Sequence, residues 1–119
     1  MMTHAEITST LSIPASDRTD AQTKELRSAL RGIARSLSRD ARRLLARVGV
    51  VQKAAVRVAG TDTFRISTND DPGKSRITSH SDAELRDLLR AGAVTVTRIT
   101  DGIGTLESTR IGLVLSLHY

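Results

Sequence analysis

The sequence contains no cysteine and only two aromatic residues, Phe64 and Tyr119. Without cysteine, disulfide frameworks, thiolate nucleophiles, iron–sulfur clusters and cysteine-built zinc sites are excluded. With so few rings, a surface that stacks bases or sugars on aromatic side chains is not expected. No apolar run approaches the roughly 18 residues of a membrane span, and the N-terminal residues lack the pattern of a signal peptide. We therefore expect a cytoplasmic protein that does not contact a membrane.

Charge is the abundant feature, and it is unevenly distributed. The 119 residues are 39% hydrophobic, with a net charge of +5, which suits a single domain spanning residues 1–119 with one core. Residues 18–57 hold eleven Lys or Arg against three Asp or Glu, whereas the rest of the chain has more acids than bases. Arginine outnumbers lysine fifteen to three, and a guanidinium binds phosphate or carboxylate through two parallel hydrogen bonds.

Changes in the period of the apolar residues divide the chain into elements. The predicted elements are a strand at 3–14, an arginine-rich amphipathic helix at 20–48, a hairpin at 50–68, a loop at 69–80, a helix at 81–91 and strands within 93–119. This order contains the β-α-β-β-α-β series and one further strand. It predicts an α+β two-layer sandwich of ferredoxin-like order with an extra C-terminal antiparallel strand. Such a fold hosts many functions and does not choose among them.

The long predicted helix carries a row of arginines at every fourth position, which we call the arginine row: Arg27, Arg31, Arg35, Arg39, Arg43 and Arg47. Arg42 stands beside it. On a helical wheel the apolar residues of the same segment fall on the opposite side, so the arginines form a basic ribbon. Like charges four residues apart destabilise an isolated helix. A bound anion would relieve this repulsion, although a solvated face without a ligand is the simpler alternative.

The hairpin gives a second indication of the same kind. If Val58 lies opposite Phe64, the register places Arg57 opposite Arg65, with Lys53 nearby on the outward face. Directly opposed like charges are unfavourable across a strand pair, so either a neighbouring acid such as Glu6 or Glu107, or an anion, is expected there.

No residues at recognisable spacing indicate catalysis, a metal site or a cofactor. Gly73-Lys74-Ser75 resembles the end of a phosphate-binding loop, but Thr68 replaces the first glycine of that motif, so we interpret it as a turn. Asp70 and Asp71 are typical turn residues. The histidines, His4, His80 and His118, have no metal-ligand spacing. His80 next to Asp82 could form an acid–base pair, but Ser81 to Glu84 there matches a helix capping box.

The sequence therefore predicts a small, basic, non-enzymatic protein that binds nucleic acid or another polyanion, largely without sequence specificity. The candidate contact residues are Arg27, Arg31, Arg35, Arg39, Arg42, Arg43, Arg47, Lys53, Arg57 and Arg65. The alternative is a protein-interaction or self-assembly component, such as a virion or mobile-element protein or an inhibitor that docks on an acidic surface. In that case a homo-oligomer would pair through the apolar C-terminal strand, residues 110–119.

Overall fold

The computed structural model describes residues 2–67, 77–100 and 103–119, and it has the α+β class that the sequence predicts. Its helices are α1 (His4–Ser12), α2 (Asp20–Ser36), α3 (Arg39–Val48), α4 (Asp82–Arg90) and α5 (Arg110–His118), with a short 3₁₀ turn at Ala15–Asp17. Its strands are β1 (Lys53–Arg57), β2 (Thr63–Ser67), β3 (Ile77–Ser81), β4 (Val94–Thr100) and β5 (Ile103–Ser108). The strands form one antiparallel sheet in the order β3-β2-β1-β5-β4.

The helices cover one face of this sheet. Phe64, Ile66 and Leu106 point from the sheet into a cluster that also contains the fully buried Leu44 of α3 and Leu88 of α4. The residues between them on the strands point to the other face, which is exposed in the described part of the sheet. The alternation of buried and exposed side chains is the period-2 signature of a half-buried antiparallel sheet.

The prediction of a strand at 3–14 is wrong, because these residues begin with a capped helix. The hydroxyl of Thr3 accepts a hydrogen bond from the main-chain N–H of Glu6, and the Glu6 carboxylate accepts one from the N–H of Thr3, each at 3.1 Å. This capping box satisfies N–H groups that the first helical turn leaves unpaired. Ile7 is buried in the core and Leu11 packs against it, at the i, i+4 spacing of one helix face.

The prediction of one helix at 20–48 is also wrong, because Leu37 and Ser38 interrupt it. Leu37 adopts an extended conformation and is buried, and the hydroxyl of Ser38 accepts a hydrogen bond from the N–H of Ala41, which starts α3. The predicted apolar side of the segment is nevertheless buried on both helices. The predicted end is confirmed, since α3 stops at Val48 and Gly49 has a positive φ of 63°, a conformation that glycine adopts without strain.

The C-terminal residues 110–119 do not form the predicted strand. Strands within 93–108 are confirmed as β4 and β5, but residues 110–118 form α5, whose first turn is capped by the hydroxyl of Thr109. Ile111 and Leu115, four residues apart, are buried, whereas Leu117 is 70% exposed. Burial therefore follows the helical period, and α5 packs into the core rather than offering a sheet edge.

The observed element order replaces the ferredoxin-like order. Three helices precede the first strand, and a further strand, β3, stands within the predicted loop at 69–80. Residues 68–76, including the turn at Gly73-Lys74-Ser75 and the acids Asp70 and Asp71, lie outside the described residues. The hairpin at 50–68 and the helix at 81–91 are confirmed as β1–β2 and α4.

The predicted hairpin register is wrong by one residue. Arg57 lies opposite Phe64, and Val56 lies opposite Arg65. The shift arises in the turn, where the N–H of Val58 donates to the carbonyl of Thr63 and leaves a four-residue loop between them. Because a shift of one residue exchanges the two faces of a strand, Arg57 and Arg65 point to opposite sides of the sheet.

Candidate anion-binding surface

The arginine row begins on α2, where Arg27, Arg31 and Arg35 are all exposed. Leu26 and Leu30 on the same helix are each 3% exposed and fix its other side against the core. A helix rises about 1.5 Å per residue, so the successive guanidinium groups start from points about 6 Å apart along the axis. Packing of the leucines therefore determines the direction in which the three arginines project.

These arginines line a shallow depression of about 550 Å³ on the outer side of α2. Its lining residues are Asp20, Thr23, Lys24, Arg27, Ser28, Arg31 and Arg35. Four cations and one carboxylate surround the depression, so its electrostatic character is strongly positive.

No carboxylate neutralises the arginine row within the described residues. The ion pairs there join Arg57 to Asp82 at 2.8 Å and Arg90 to Asp87 at 3.8 Å, besides one that involves His80. The two acids on α2, Asp20 and Glu25, take part in none of them. The row therefore keeps its charge available to an external anion.

The break between α2 and α3 divides the arginine row into two groups. Arg39 and Arg43 are exposed on α3, and Arg47 is half-buried at its last turn. The predicted continuous ribbon is therefore replaced by one group on α2 and one on α3. The sequence signal for the break is Ser38, a favoured N-cap residue, followed at the second helical position by Asp40, which stabilises a helix N-terminus.

Three arginines of the basic segment have structural partners. Arg18 donates hydrogen bonds to main-chain carbonyls at the C-terminal end of α1. Arg42 donates to the main-chain oxygen of Tyr119 at 2.6 Å, which ties α3 to the end of α5. The Arg57 guanidinium holds Asp82 at the first turn of α4, and this contact raises the pKa of Arg57. Arg42 and Arg57 are both predicted contact residues for the anion. In the structure their guanidinium groups instead link elements of the fold, to Tyr119 and to Asp82.

The hairpin cations do not form the predicted pair. Arg65 is exposed on the open face of the sheet, whereas Lys53 and Arg57 belong to the opposite face of β1, two positions on either side of the buried Ala55. The acid expected near Arg57 exists, but it is Asp82. The hairpin therefore adds no second cluster to the arginine row.

His80 lies in a buried polar contact that the sequence did not predict. Its Nε2 is 2.8 Å from the hydroxyl of Thr78, and its Nδ1 is 3.1 Å from a carboxylate oxygen of Glu84. The ring is 5% exposed and packs 5.8 Å from the ring of Phe64. Both ring nitrogens are satisfied inside the fold, so this contact joins β3 to α4. The predicted capping box is therefore only half formed. The N–H of Glu84 donates to the hydroxyl of Ser81, while the Glu84 carboxylate contacts His80.

A larger concavity lies along the neighbouring face of α2. It has a volume of about 1000 Å³ and is bounded by α1, α2 and α4; we call it the α1–α2–α4 groove. Gly32 of α2 opens onto it, and a Cβ built there would have no heavy atom within 4 Å. The only sequence signal for this groove is a glycine inside a helix, which costs stability relative to alanine and usually has a packing or functional reason.

No family model matches the chain, and neither curated proteins nor solved structures gave a match. Among the helices of the described residues, none combines the length and the apolar character needed to cross a bilayer. The function is therefore inferred from the chemistry of the surface itself.

Proposed function

We propose that this protein is a small non-enzymatic nucleic-acid-binding protein whose contact surface is the arginine row, chiefly its α2 group. The observation that carries the proposal is the depression on α2, where Lys24, Arg27, Arg31 and Arg35 stand together without ion-pair partners among the described residues. A solvated helix face normally intersperses acids with bases at i+4. This face does not.

Phosphate is the anion that this surface fits best. Guanidinium groups bind phosphate oxygens in a bidentate manner, and the regular spacing along α2 suits a ligand whose charges also repeat at regular intervals. If Lys24 and the three arginines each neutralise one phosphate, the logarithm of affinity falls with the logarithm of salt concentration with a slope of about −3 to −4. Such contacts position a backbone without reading base edges, so sequence specificity is not expected.

The self-assembly alternative loses the C-terminal strand that would have paired with another copy, although the uneven charge distribution that also supported it remains. It required residues 110–119 to form an edge strand, and these residues form α5, with Ile111 and Leu115 in the core. Pairing of this segment with another copy would require the helix to leave its packing site. Nucleic-acid binding is therefore the function we develop.

Fluorescence anisotropy with labelled oligonucleotides of mixed sequence tests the proposal. We expect the unmodified protein to bind at low salt. The charge-reversed triple variant should not bind; it carries Arg27→Glu, Arg31→Glu and Arg35→Glu. The triple lysine variant at the same positions is the matched control and should retain most of the affinity, because the charge is preserved. Circular dichroism verifies that both variants keep their helices. Absence of binding by the unmodified protein to single-stranded and duplex probes at low salt would refute the proposed function.

A further inference from the structure

The α1–α2–α4 groove has the size and lining of a site for a small organic group. Its volume of about 1000 Å³ lies at the upper end of the range for ligand pockets, roughly 300–1,000 Å³. Ile7, Ile33 and Leu37 contribute apolar surface, and Gly32 leaves open space in the wall formed by α2. Exposed charged residues, Lys24, Glu25 and Arg90, also line the groove.

The groove adjoins the depression of the arginine row. Lys24 and Ser28 line both concavities, so they form the ridge between the two. A ligand whose phosphates lie along Arg27 and Arg31 therefore reaches the groove by crossing this ridge. The ligand must then combine regularly spaced anions with flat, partly apolar groups attached to them.

The polar residues of the groove favour bases over acyl chains. The carboxylates of Glu25 and Asp87 stand in its lining together with the hydroxyl of Ser36. Nucleobases carry amino and imino donors that carboxylates accept, whereas an acyl chain would remove the Glu25 carboxylate from water without giving it a partner. The other two groups have partners, since Asp87 lies 3.8 Å from Arg90 and the Ser36 hydroxyl donates to the carbonyl of Ile33. The imidazole of His4 also lines the groove, and its ring lies against Gly92.

We propose that the protein prefers single-stranded nucleic acid, because unpaired bases enter the α1–α2–α4 groove while the phosphates lie on the α2 group of the arginine row. This inference rests on the proposed function. In a duplex the bases are stacked and paired, so they do not reach the groove and only the phosphate contacts remain. The arginines supply affinity for any polyanion, and the groove distinguishes a strand that has accessible bases.

Three probes of equal length separate the two contributions: a mixed-sequence single strand, the same strand made entirely of abasic residues, and a duplex. We expect the single strand to bind at least about fivefold more tightly than the abasic strand, the lower end of what contacts to one base contribute. The variant Gly32→Trp fills the groove and should remove this difference while leaving the affinity for the abasic strand unchanged. Gly32→Ala, which barely enters the groove, is the matched control.

The outcomes distinguish this inference from the function on which it rests. Equal affinity for the single strand and the abasic strand would overturn the inference and leave the proposed function intact. Two results together support the proposed function and the preference for single strands. The charge-reversed variant should lose binding to every probe, and Gly32→Ala should keep the difference between the single strand and the abasic strand. If Gly32→Trp does not fold, Ser36→Trp fills the same groove from the end of α2. A folded tryptophan variant that still prefers the single strand by the same factor would contradict the assignment of the groove.

Discussion

Replacing Arg31 by glutamine is expected to stabilise the free protein and to weaken its binding to nucleic acid. Arg31 stands in the middle of the α2 group, with Arg27 four residues before it and Arg35 four residues after it. It has no ion-pair partner among the described residues, and it is exposed. Its removal therefore relieves two like-charge contacts and breaks no attractive one.

The magnitude follows from these two contacts. A like-charge pair at i+4 costs about 0.2–0.5 kcal/mol at low salt, so Arg31→Gln should raise the free energy of unfolding by about 0.4–1 kcal/mol. Glutamine and arginine have similar helix propensities, and thus the change isolates the charge. The same substitution removes one phosphate contact, which should reduce the salt slope of binding by about 0.7–0.9.

Urea denaturation at low salt and anisotropy across a salt series measure the two effects on the same samples. Arg86→Gln on α4 is the matched control. Arg86 is also exposed on a helix, but Asp82 stands four residues before it and Arg90 four residues after it. The two interactions offset each other, so this variant should change neither stability nor salt slope appreciably.

The stabilisation should also disappear when salt is added, because exposed charges are screened. If Arg31→Gln destabilised the protein by 1 kcal/mol or more, the α2 arginines would be packing residues and the reasoning from repulsion would be refuted. If Arg86→Gln flattened the salt slope as much as Arg31→Gln, binding would follow total charge and the location on α2 would be wrong.

Three further predictions concern the fold. A Cβ at Gly112 would collide with the main-chain carbonyl of Ala93, so Gly112→Ala should lower the free energy of unfolding by about 3 kcal/mol; a loss below 1 kcal/mol in urea denaturation would contradict this contact. Gly32→Ala should instead raise it by about 0.5–1 kcal/mol, since open space surrounds that position, and a loss of stability would show that the space is filled. The third prediction concerns the cap of α1, where hydrogen bonds from Thr3 lower the pKa of Glu6 below its usual 4.5. The ionised Glu6 carboxylate therefore stabilises the folded protein fully above pH 4.5, and this stabilisation is lost as the pH falls through the lowered pKa. The stability difference between Glu6→Gln and the unmodified protein should therefore shrink in acid, and a pH-independent difference would count against the cap.

The parts of the fold that could be predicted from sequence are those where one local signal dominates. The helix α4 follows a favoured cap at Ser81 and ends just before Gly92, which has a φ of 71°. The hairpin alternates buried Phe64 and Ile66 with polar neighbours. The apolar side of the basic segment was also predictable, because burial of Leu26 and Leu30 follows the helical period that the sequence shows.

The errors at the two ends of the chain have a shared physical cause. When apolar side chains occupy every second position of a short segment, they also occupy every fourth position. The pairs Ile7 with Leu11 and Ile111 with Leu115 therefore fit the strand period and the helical i, i+4 spacing equally well. Only the caps distinguish them, since both Thr3 and Thr109 accept hydrogen bonds from the third residue that follows. For α1 the Thr3-to-Glu6 capping box was readable in the sequence. For α5 the sequence offered no matching acid, and tertiary packing decided the outcome.

The candidate site was predictable in composition but not in shape. The arginine row is visible in the sequence, because its spacing needs only the helical period. Its division at Leu37 has a local signal in Ser38 and Asp40. The structural bonds of Arg42 and Arg57 depend instead on residues distant in sequence, as does the α1–α2–α4 groove. No local pattern encodes how α1 and α4 approach α2, and so no reading of Gly32 alone predicts a groove beside it.

The position of α2 at the edge of the core connects these observations. Leu26, Leu30 and Ala34 attach one narrow stripe of α2 to the protein, and the remaining surface of the helix is divided between the arginine row and the α1–α2–α4 groove. A helix that carries three uncompensated arginines and an interior glycine is less stable than the same helix without them. Each of these two features costs stability in the free protein, and the ligand that we propose would occupy the side of α2 on which each lies. Their meeting at Lys24 and Ser28 is the physical reason to expect one ligand to engage both.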